Sequence, residues 1–233
     1  MNVSVAYKKI APFIILILLL GTGCANNTET TPVAVKGVIN LTNTNLYKNN
    51  APLKGEWKFF WMQLLPALQA DTGSAPFTNF PVLWNNSGLP AKGYATYQLK
   101  VLLPHNRPQL AMFVPDVYTA YNLYINGKLA ANNGTPATTT AAYSPHWINY
   151  TIQLPADTDT LSMVLQVANF EHSKGGPYKQ LLIGEKDRLL RDEKVNLSID
   201  FLLSGCIFMS GLFFFQPVYF WQARQGYAVL FSF

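Results

Sequence analysis

Cysteine is almost missing: the 233 residues include two, Cys24 and Cys206, and none between them. Whatever folds between those positions is held by its core and not by disulfides, and it has no cysteine to serve as nucleophile or metal ligand. Histidine is equally sparse. His105, His146 and His172 are dispersed, and no two have the i, i+4 spacing of a metal pair on a helix. Charged residues make up only 12% of the chain, and the formal excess of +5 is scattered, the longest basic run being Lys8-Lys9. Without a basic stripe interleaved with aromatics nothing tracks a phosphate backbone, so nucleic acid is excluded as a partner.

The usual marks of catalysis are absent too. There is no Gly-x-Ser-x-Gly elbow for a serine nucleophile. The second half of the body holds few carboxylates, Asp116, Asp157, Asp159 and Glu171, and nothing pairs two of them across one bond as glycoside hydrolysis requires. Gly175-Gly176 is not followed by a helix that would cradle phosphate. The expectation is a non-enzymatic chain with no cofactor and no metal.

What the chain does have is apolar sequence at its ends. Residues 201–221 carry no charge, and at about 1.5 Å of rise per residue such a run matches a hydrocarbon core of roughly 30 Å. A transmembrane helix is expected over 197–222, with Tyr219 and Trp221 suited to an interfacial belt and Pro217 tolerable within a span. Residues 227–233 read as the start of a second span cut off by the chain end, which implies the front portion of a longer polytopic protein. At the other end, Lys8-Lys9, an apolar run to Leu20 and Gly21-Thr22-Gly23-Cys24 have the three parts of an export signal. Cys24 after small residues resembles a bacterial lipoprotein signal and is the candidate lipidation site. An ordinary cleaved signal and an uncleaved anchor stay open beside it, and all three outcomes export the body. Lys186, Arg188, Arg191 and Lys194 precede the span while only Arg224 follows. A positive-inside count alone would put the body in the cytoplasm, but whole domains translocate largely regardless of charge, and the signal is followed.

Between these ends the pattern changes. Residues 25–32 are a polar tether, and 33–184 are a single domain of short segments with the period of two that marks half-buried strands. Val35, Gly37, Ile39 and Leu41 share one face. Leu53, Gly55, Trp57, Phe59 and Trp61 share another, so these aromatics are expected in the core. A short helical turn is expected over 63–69. Further strands are expected at 94–103, 109–114, 120–125, 128–131, 147–154, 161–167 and 181–183, with Asn126-Gly127 as a tight hairpin turn. Many short strands without a long amphipathic helix indicate an all-β antiparallel sandwich. Residues 185–196, dense in both signs of charge, read as a short helical connector to the span.

The segment Pro-Leu-Lys-Gly-Glu-Trp-Lys-Phe-Phe-Trp at 52–61 resembles the strand that opens the sugar-binding, galactose-binding-like jelly-roll domains of many glycoside hydrolases. Three more stretches, 93–99 (GYATYQL), 120–127 (AYNLYING) and 167–176 (VANFEHSKGG), followed at once by a span, together resemble the bacterial seven-transmembrane receptors with diverse intracellular signalling modules. The resemblance implies a jelly-roll sensor outside the cytoplasmic membrane, in the periplasm, and a transmembrane helix leading toward an output module beyond the sequence. A membrane-tethered carbohydrate-binding module or glycoside-hydrolase accessory domain is the alternative, and a purely structural scaffold is a third class.

The expected ligand is a small polar molecule, a saccharide among the candidates, and a homodimer is left open. Saccharide sites combine a flat apolar face with a few oriented polar groups. Trp84, Asp116, Asn169 and His172 are the candidate ligand-binding residues, converging at the sandwich rim with Tyr118, Tyr121 and Trp147 as further aromatic surface. For each the competing role is structural: aromatics that fill the core, and Asn169 and His172 that hold a loop through bonds to the backbone.

Overall fold

The computed structural model describes residues 31–67 and 75–230, with side chains through residue 212. The expected signal, Cys24 and nearly all of the tether lie outside the described residues. The chain divides into Met1–Thr31 and Pro32–Phe233, and the second unit holds the described fold.

Its strands are β1 (Val38–Asn40), β2 (Ala51–Pro52), β3 (Gly55–Trp61), β4 (Phe77–Phe80), β5 (Gly93–Leu102), β6 (Leu110–Val114), β7 (Ala120–Ile125), β8 (Lys128–Asn133), β9 (Tyr150–Gln153), β10 (Thr160–Asn169) and β11 (Leu182–Glu185). The larger sheet runs β4-β3-β5-β10-β7-β8, and the smaller runs β2-β11-β6-β9. From β5 onward the chain crosses repeatedly between the sheets: β6, β9 and β11 are laid in the small sheet, and β7 with β8, then β10, in the large one. The result is an all-β jelly-roll sandwich followed by an apolar helix.

One pairing departs from the antiparallel expectation. β1 lies parallel to β5 at Lys100 to Leu102, where β3 no longer covers that edge. The alternation expected over 33–41 produces only three residues of strand plus bridges at Ala34 and Val35, because Lys36 and Gly37 both take positive φ and turn the chain. No helix forms in the described part of 63–69, and the 147–154 strand contracts to Tyr150–Gln153. The hairpin turn is as expected: Asn126 and Gly127 have φ of 50° and 78°, the pair of left-handed residues that a tight two-residue loop needs.

The core follows from the period of two. Ala95, Tyr97, Leu99 and Val101 of β5 and Leu161, Met163, Leu165 and Val167 of β10 all face inward and are buried. Burying each such aliphatic or aromatic side chain contributes about 1.5–3 kcal/mol. An aromatic spine runs through this core: Trp57 stacks on Phe80 at 4.1 Å, Phe80 and Phe59 both meet Tyr97, and Trp61 abuts Trp84 edge-on at 4.9 Å.

The expected helical connector is helical from Lys186 but is not separate from the expected span: one helix, α1 (Lys186–Leu230), starts directly after β11 and continues unbroken past residue 227. From Lys186 on, the charged segment supplies its first turns because its side chains find partners on the sandwich. Lys186 Nζ donates to Gln153 at 2.9 Å, Thr151 donates to Glu193 at 2.8 Å, and Leu189 is buried. Arg188 makes the strongest tie. Its guanidinium donates to the carbonyls of Leu46, Tyr47 and Asn49 at 3.1, 2.6 and 3.0 Å, and to Asn50 Oδ1 from both Nε and Nη2. Farther along, the helix leaves the sandwich: Phe201, Leu202, Ile207 and Phe208 are 66–74% exposed. Length and apolar character together make α1 capable of crossing a bilayer.

Candidate functional site

The end of the sandwich away from the root of α1 gathers four loops: the 3-10 turn Trp84–Ser87 and its continuation to residue 92, the segment 115–119, the loop 134–149, and the loop 170–181. Asn169 ends β10 and organises the last of these. Fully buried, it donates through Nδ2 to the carbonyls of Ala91, His172 and Lys174 at 2.8, 2.9 and 3.0 Å, while its Oδ1 accepts from the backbone N–H of His172 at 3.0 Å. A buried amide with every lone pair and proton engaged is a brace and has nothing left to offer a ligand.

Trp84 is also a brace. Only 1% of it is exposed; its Nε1–H donates to the Tyr97 hydroxyl at 2.6 Å, and its backbone N–H donates to Gly175 O at 2.9 Å. The Tyr97 phenol is pushed far up by burial, which keeps it a neutral acceptor. Gly175-Gly176 crosses directly over the indole: a Cβ on Gly176 would lie 2.7 Å from Trp84 Nε1, and one on Gly175 would lie 2.4 Å from Trp84 Cε3. Those glycines therefore permit close approach to a tryptophan face, not to a ligand. Two of the four candidates, Trp84 and Asn169, are in this way corrected from contact residues to supports, for want of surface.

Asp116 and His172 remain at the surface, and the structure joins them through residues that sequence reasoning did not single out together. Tyr118 and Gly176 exchange two backbone hydrogen bonds at 3.0 and 3.3 Å, which places Tyr118 between the His172 and Tyr178 rings. It stacks on His172 at 4.3 Å with a 7° tilt and on Tyr178 at 4.6 Å with a 25° tilt. Lys179 Nζ lies 4.7 Å above the Tyr178 ring and 2.9 Å from Asp116 Oδ1, and the Tyr178 hydroxyl donates to Asp116 Oδ2 at 2.7 Å. The ladder His172, Tyr118, Tyr178, Lys179 thus terminates on the Asp116 carboxylate. Tyr178 is raised above the ordinary phenol value chiefly by burial, and Lys179 is raised first by Tyr178 and then by Asp116.

The remaining geometry fixes this arrangement. Asp116 N–H donates to Asn149 Oδ1 at 2.9 Å, and His172 Nδ1 lies 3.0 Å from the backbone N–H and 3.2 Å from the carbonyl of Lys174, so the ring is pinned to its own loop through that nitrogen. Behind Tyr118, the Thr119 hydroxyl bonds to the Tyr143 hydroxyl, whose pKa burial raises. A carboxylate held by a phenol and an ammonium, beside stacked rings with polar edges, can accept hydroxyl protons and shelter C–H groups. Tyr178 and Lys179 had a signal in the sequence: they follow Gly176-Pro177 in the loop already singled out for its glycines.

The other end of the sandwich carries an ionic cluster. Arg107 donates to Asp159 Oδ1 at 2.5 Å and to the carbonyls of Pro104, Ala156 and Thr158 at 2.6, 3.0 and 2.8 Å, and His105 Nδ1 lies 2.6 Å from Asp159 Oδ2. A groove of about 430 Å³ opens beside it, lined by His105, Arg107, Gln109, Pro155 and Asp157 among others. All of the Arg107 donors shown are spent on loop carbonyls and Asp159, so the cluster welds the 103–109 loop to the 154–159 loop.

Fold and site define a class: a jelly-roll sandwich with a polar and aromatic loop cluster at one end and a long apolar helix rooted at the other. No protein-family model matches the chain, and no curated protein matches it either. Among solved structures it is similar to a Bacteroides uniformis beta-glucuronidase (16% identity over 58% of this chain and 17% of that one, TM-score 0.45). It is similar also to an Eisenbergiella tayi GH2 beta-galacturonidase bound to galacturonate (14% identity, 59% and 24%, TM-score 0.42). A Bacteroides vulgatus beta-glycosidase matches to the same degree (14% identity, 58% and 20%, TM-score 0.42). The matched part spans about a fifth of the length of those chains.

Proposed function

We propose that residues 33–184 form the extracytoplasmic ligand-sensing domain of a bacterial membrane receptor of the seven-transmembrane signalling kind, with α1 as its first span and the sandwich facing the periplasm. The ligand is a small polar molecule of the saccharide class, taken up at the Asp116, Tyr118, His172, Tyr178 and Lys179 cluster. The chain binds it and does not turn it over: Asp116 is engaged by a phenol and an ammonium, an arrangement suited to accepting hydroxyl protons.

One observation carries this reading above the others. The loop that presents His172, Tyr178 and Lys179 passes within a few residues into β11, and β11 passes without a break into α1, whose first turn Arg188 clamps to the 46–50 segment. Ligand binding that reorders the loop has a path four strand residues long to the helix root. For the helix to respond, the ligand must have different affinity for two arrangements of that path.

Two measurements test the reading. A periplasm-only reporter fused after Gly184 should be active, and an inactive fusion would reverse the topology. Thermal-shift screening of the protein against saccharides and small metabolites should give hits that Asp116→Ala and His172→Ala abolish without loss of folding. Hits unchanged in both variants would move the site elsewhere.

A further inference from the structure

Two residues before Asn149, which holds the Asp116 backbone, lies a half-exposed indole. Trp147 is 51% exposed, although its backbone is fixed on both sides. His146 N–H donates to Thr119 O at 3.4 Å, Ile148 O accepts from Asn133 Nδ2 at 2.9 Å, and Asn149 Oδ1 accepts from Asp116 N–H. Residues 146 and 149 are thus tied to residues 119 and 116, which seats Trp147 beside the Asp116 segment. An indole half in water on a loop anchored at three points offers a flat apolar face at a fixed place beside Asp116.

A second observation points to polar demand beneath the same loop. Tyr121 and Asn133 face each other across β7 and β8, and both are fully buried. Among the described residues neither the Tyr121 hydroxyl nor Asn133 Oδ1 has a hydrogen-bond partner, although Asn133 Nδ2 is used by Ile148. The Tyr121 phenol is raised by burial first and then by the charges of Tyr150 and Asp116, which places its hydroxyl in the field of the candidate carboxylate. Buried donors and acceptors left unpaired are costly, and two of the three found among the described residues lie here, the third being Trp57 Nε1 in the aromatic spine.

We infer that Trp147 is the stacking platform of the site and that the ligand is a pyranose, its apolar C–H face on the indole and adjacent hydroxyls on the Asp116 carboxylate. This rests on the ligand-sensing reading above and narrows its ligand class. A pyranose is the small polar molecule that presents a flat apolar face and hydroxyl groups on one rigid ring. An acyclic polyol has the hydroxyls without the face, and a protein partner would use the indole without needing Asp116.

The test uses the full chain in detergent micelles with defined probes: methyl glucopyranoside, methyl galactopyranoside and N-acetylglucosamine, with sorbitol as the acyclic control, followed by saturation-transfer NMR and tryptophan fluorescence. At least one pyranose should bind more tightly than sorbitol, with its ring C–H protons receiving the transfer. Trp147→Ala should weaken it about tenfold or more, and Trp147→Phe should restore most of the affinity. Because the indole is exposed, the alanine variant should melt with the parent, which separates lost binding from lost fold. No pyranose binding, equal binding of sorbitol, or undiminished binding in Trp147→Ala overturns the inference. A Trp147 that proves necessary only for capturing another protein overturns it as well. The sensor reading fails separately: an inactive reporter after Gly184 together with pyranose binding lost in Trp147→Ala would sink the topology and leave this site standing.

Discussion

The two ends of the sandwich spend the same chemistry differently. At the helix end, Arg107 and Arg188 are each surrounded by carbonyls and one carboxylate or amide, so every strong donor shown is consumed inside the fold. At the far end, Asp116, His172 and Lys179 are also paired, but each keeps an exposed side, and the rings between them are stacked rather than enclosed. Guanidinium groups whose planar forks are satisfied by backbone make joints. Stacked rings and a partly exposed carboxylate, held by one phenol and one ammonium, make a surface. The helix end is tied to α1, and the far end leaves partly exposed rings and polar groups at its surface.

If that contrast is right, substitutions at supports should unfold or loosen the molecule, and those at the far surface should leave it folded. The largest effect is expected at Trp84, the brace beneath Gly175-Gly176. Trp84→Ala should cost about 3–5 kcal/mol through the cavity it leaves and the orphaned Tyr97 hydroxyl, read as a fall in the thermal or urea midpoint. A variant of near-parental stability would mean that the indole is not the floor of the loop.

Next comes the helix root. Arg188→Ala should cost about 2–3 kcal/mol, since hydrogen bonds to a charged group are lost while the carbonyls of 46, 47 and 49 are left behind. Hydrogen exchange should quicken in 45–50 and in the first turns of α1. Arg188→Lys should recover only part of this, because an ammonium cannot bridge the same carbonyls as a fork.

A smaller effect on stability is expected at the surface of the far end. Asp116→Ala should change stability by no more than about 1 kcal/mol, the scale of partly exposed ion pairs, while removing the response to saccharide in thermal-shift assays. A large loss of stability with the response retained would place Asp116 among the supports.

The smallest effect is tied to pH. The Arg107 hydrogen bond, with His105 adding to it, holds the Asp159 carboxyl below its ordinary value of 3.8. A carboxylate lowered in the fold stabilises fully above its unfolded value and loses that contribution as pH falls through the lowered one. The gap in melting temperature between the parent and Asp159→Asn should therefore be present at neutral pH and close as pH drops below the ordinary aspartate range. A gap that stays constant would mean that the contact contributes through shape and not charge.

Much of this fold was legible because period-two alternation is imposed directly by the pleat. Strands β5, β6, β7 and β10 fall where alternation placed them, the Asn126-Gly127 turn has its two positive φ values, and Trp57 and Phe59 are buried. The uncharged run from 201 to 221 likewise fixed a long apolar helix from composition alone. β2 and β4 were not legible, being short pairings whose existence depends on neighbours far away in sequence. Nor was the continuity of α1: charge density suggested a helical connector separate from the span, and only the carbonyls of 46, 47 and 49 explain why Arg188 belongs to a docked helix.

For the site, residue types determined the loop and tertiary packing determined the roles. The sequence pointed to 169–176 and to Asp116 through their polar groups and glycines, and all four candidates do lie at one end of the sandwich. Which of them face water was decided by register: Asn169 falls within hydrogen-bonding reach of three carbonyls, and Trp84 lies under two glycines. The pairing of Tyr118 with Gly176 then brought a tyrosine from one loop between two rings of another. Alternation along one strand is a local property that a chain carries by itself. Contact between loops separated by dozens of residues exists only once both sheets have closed.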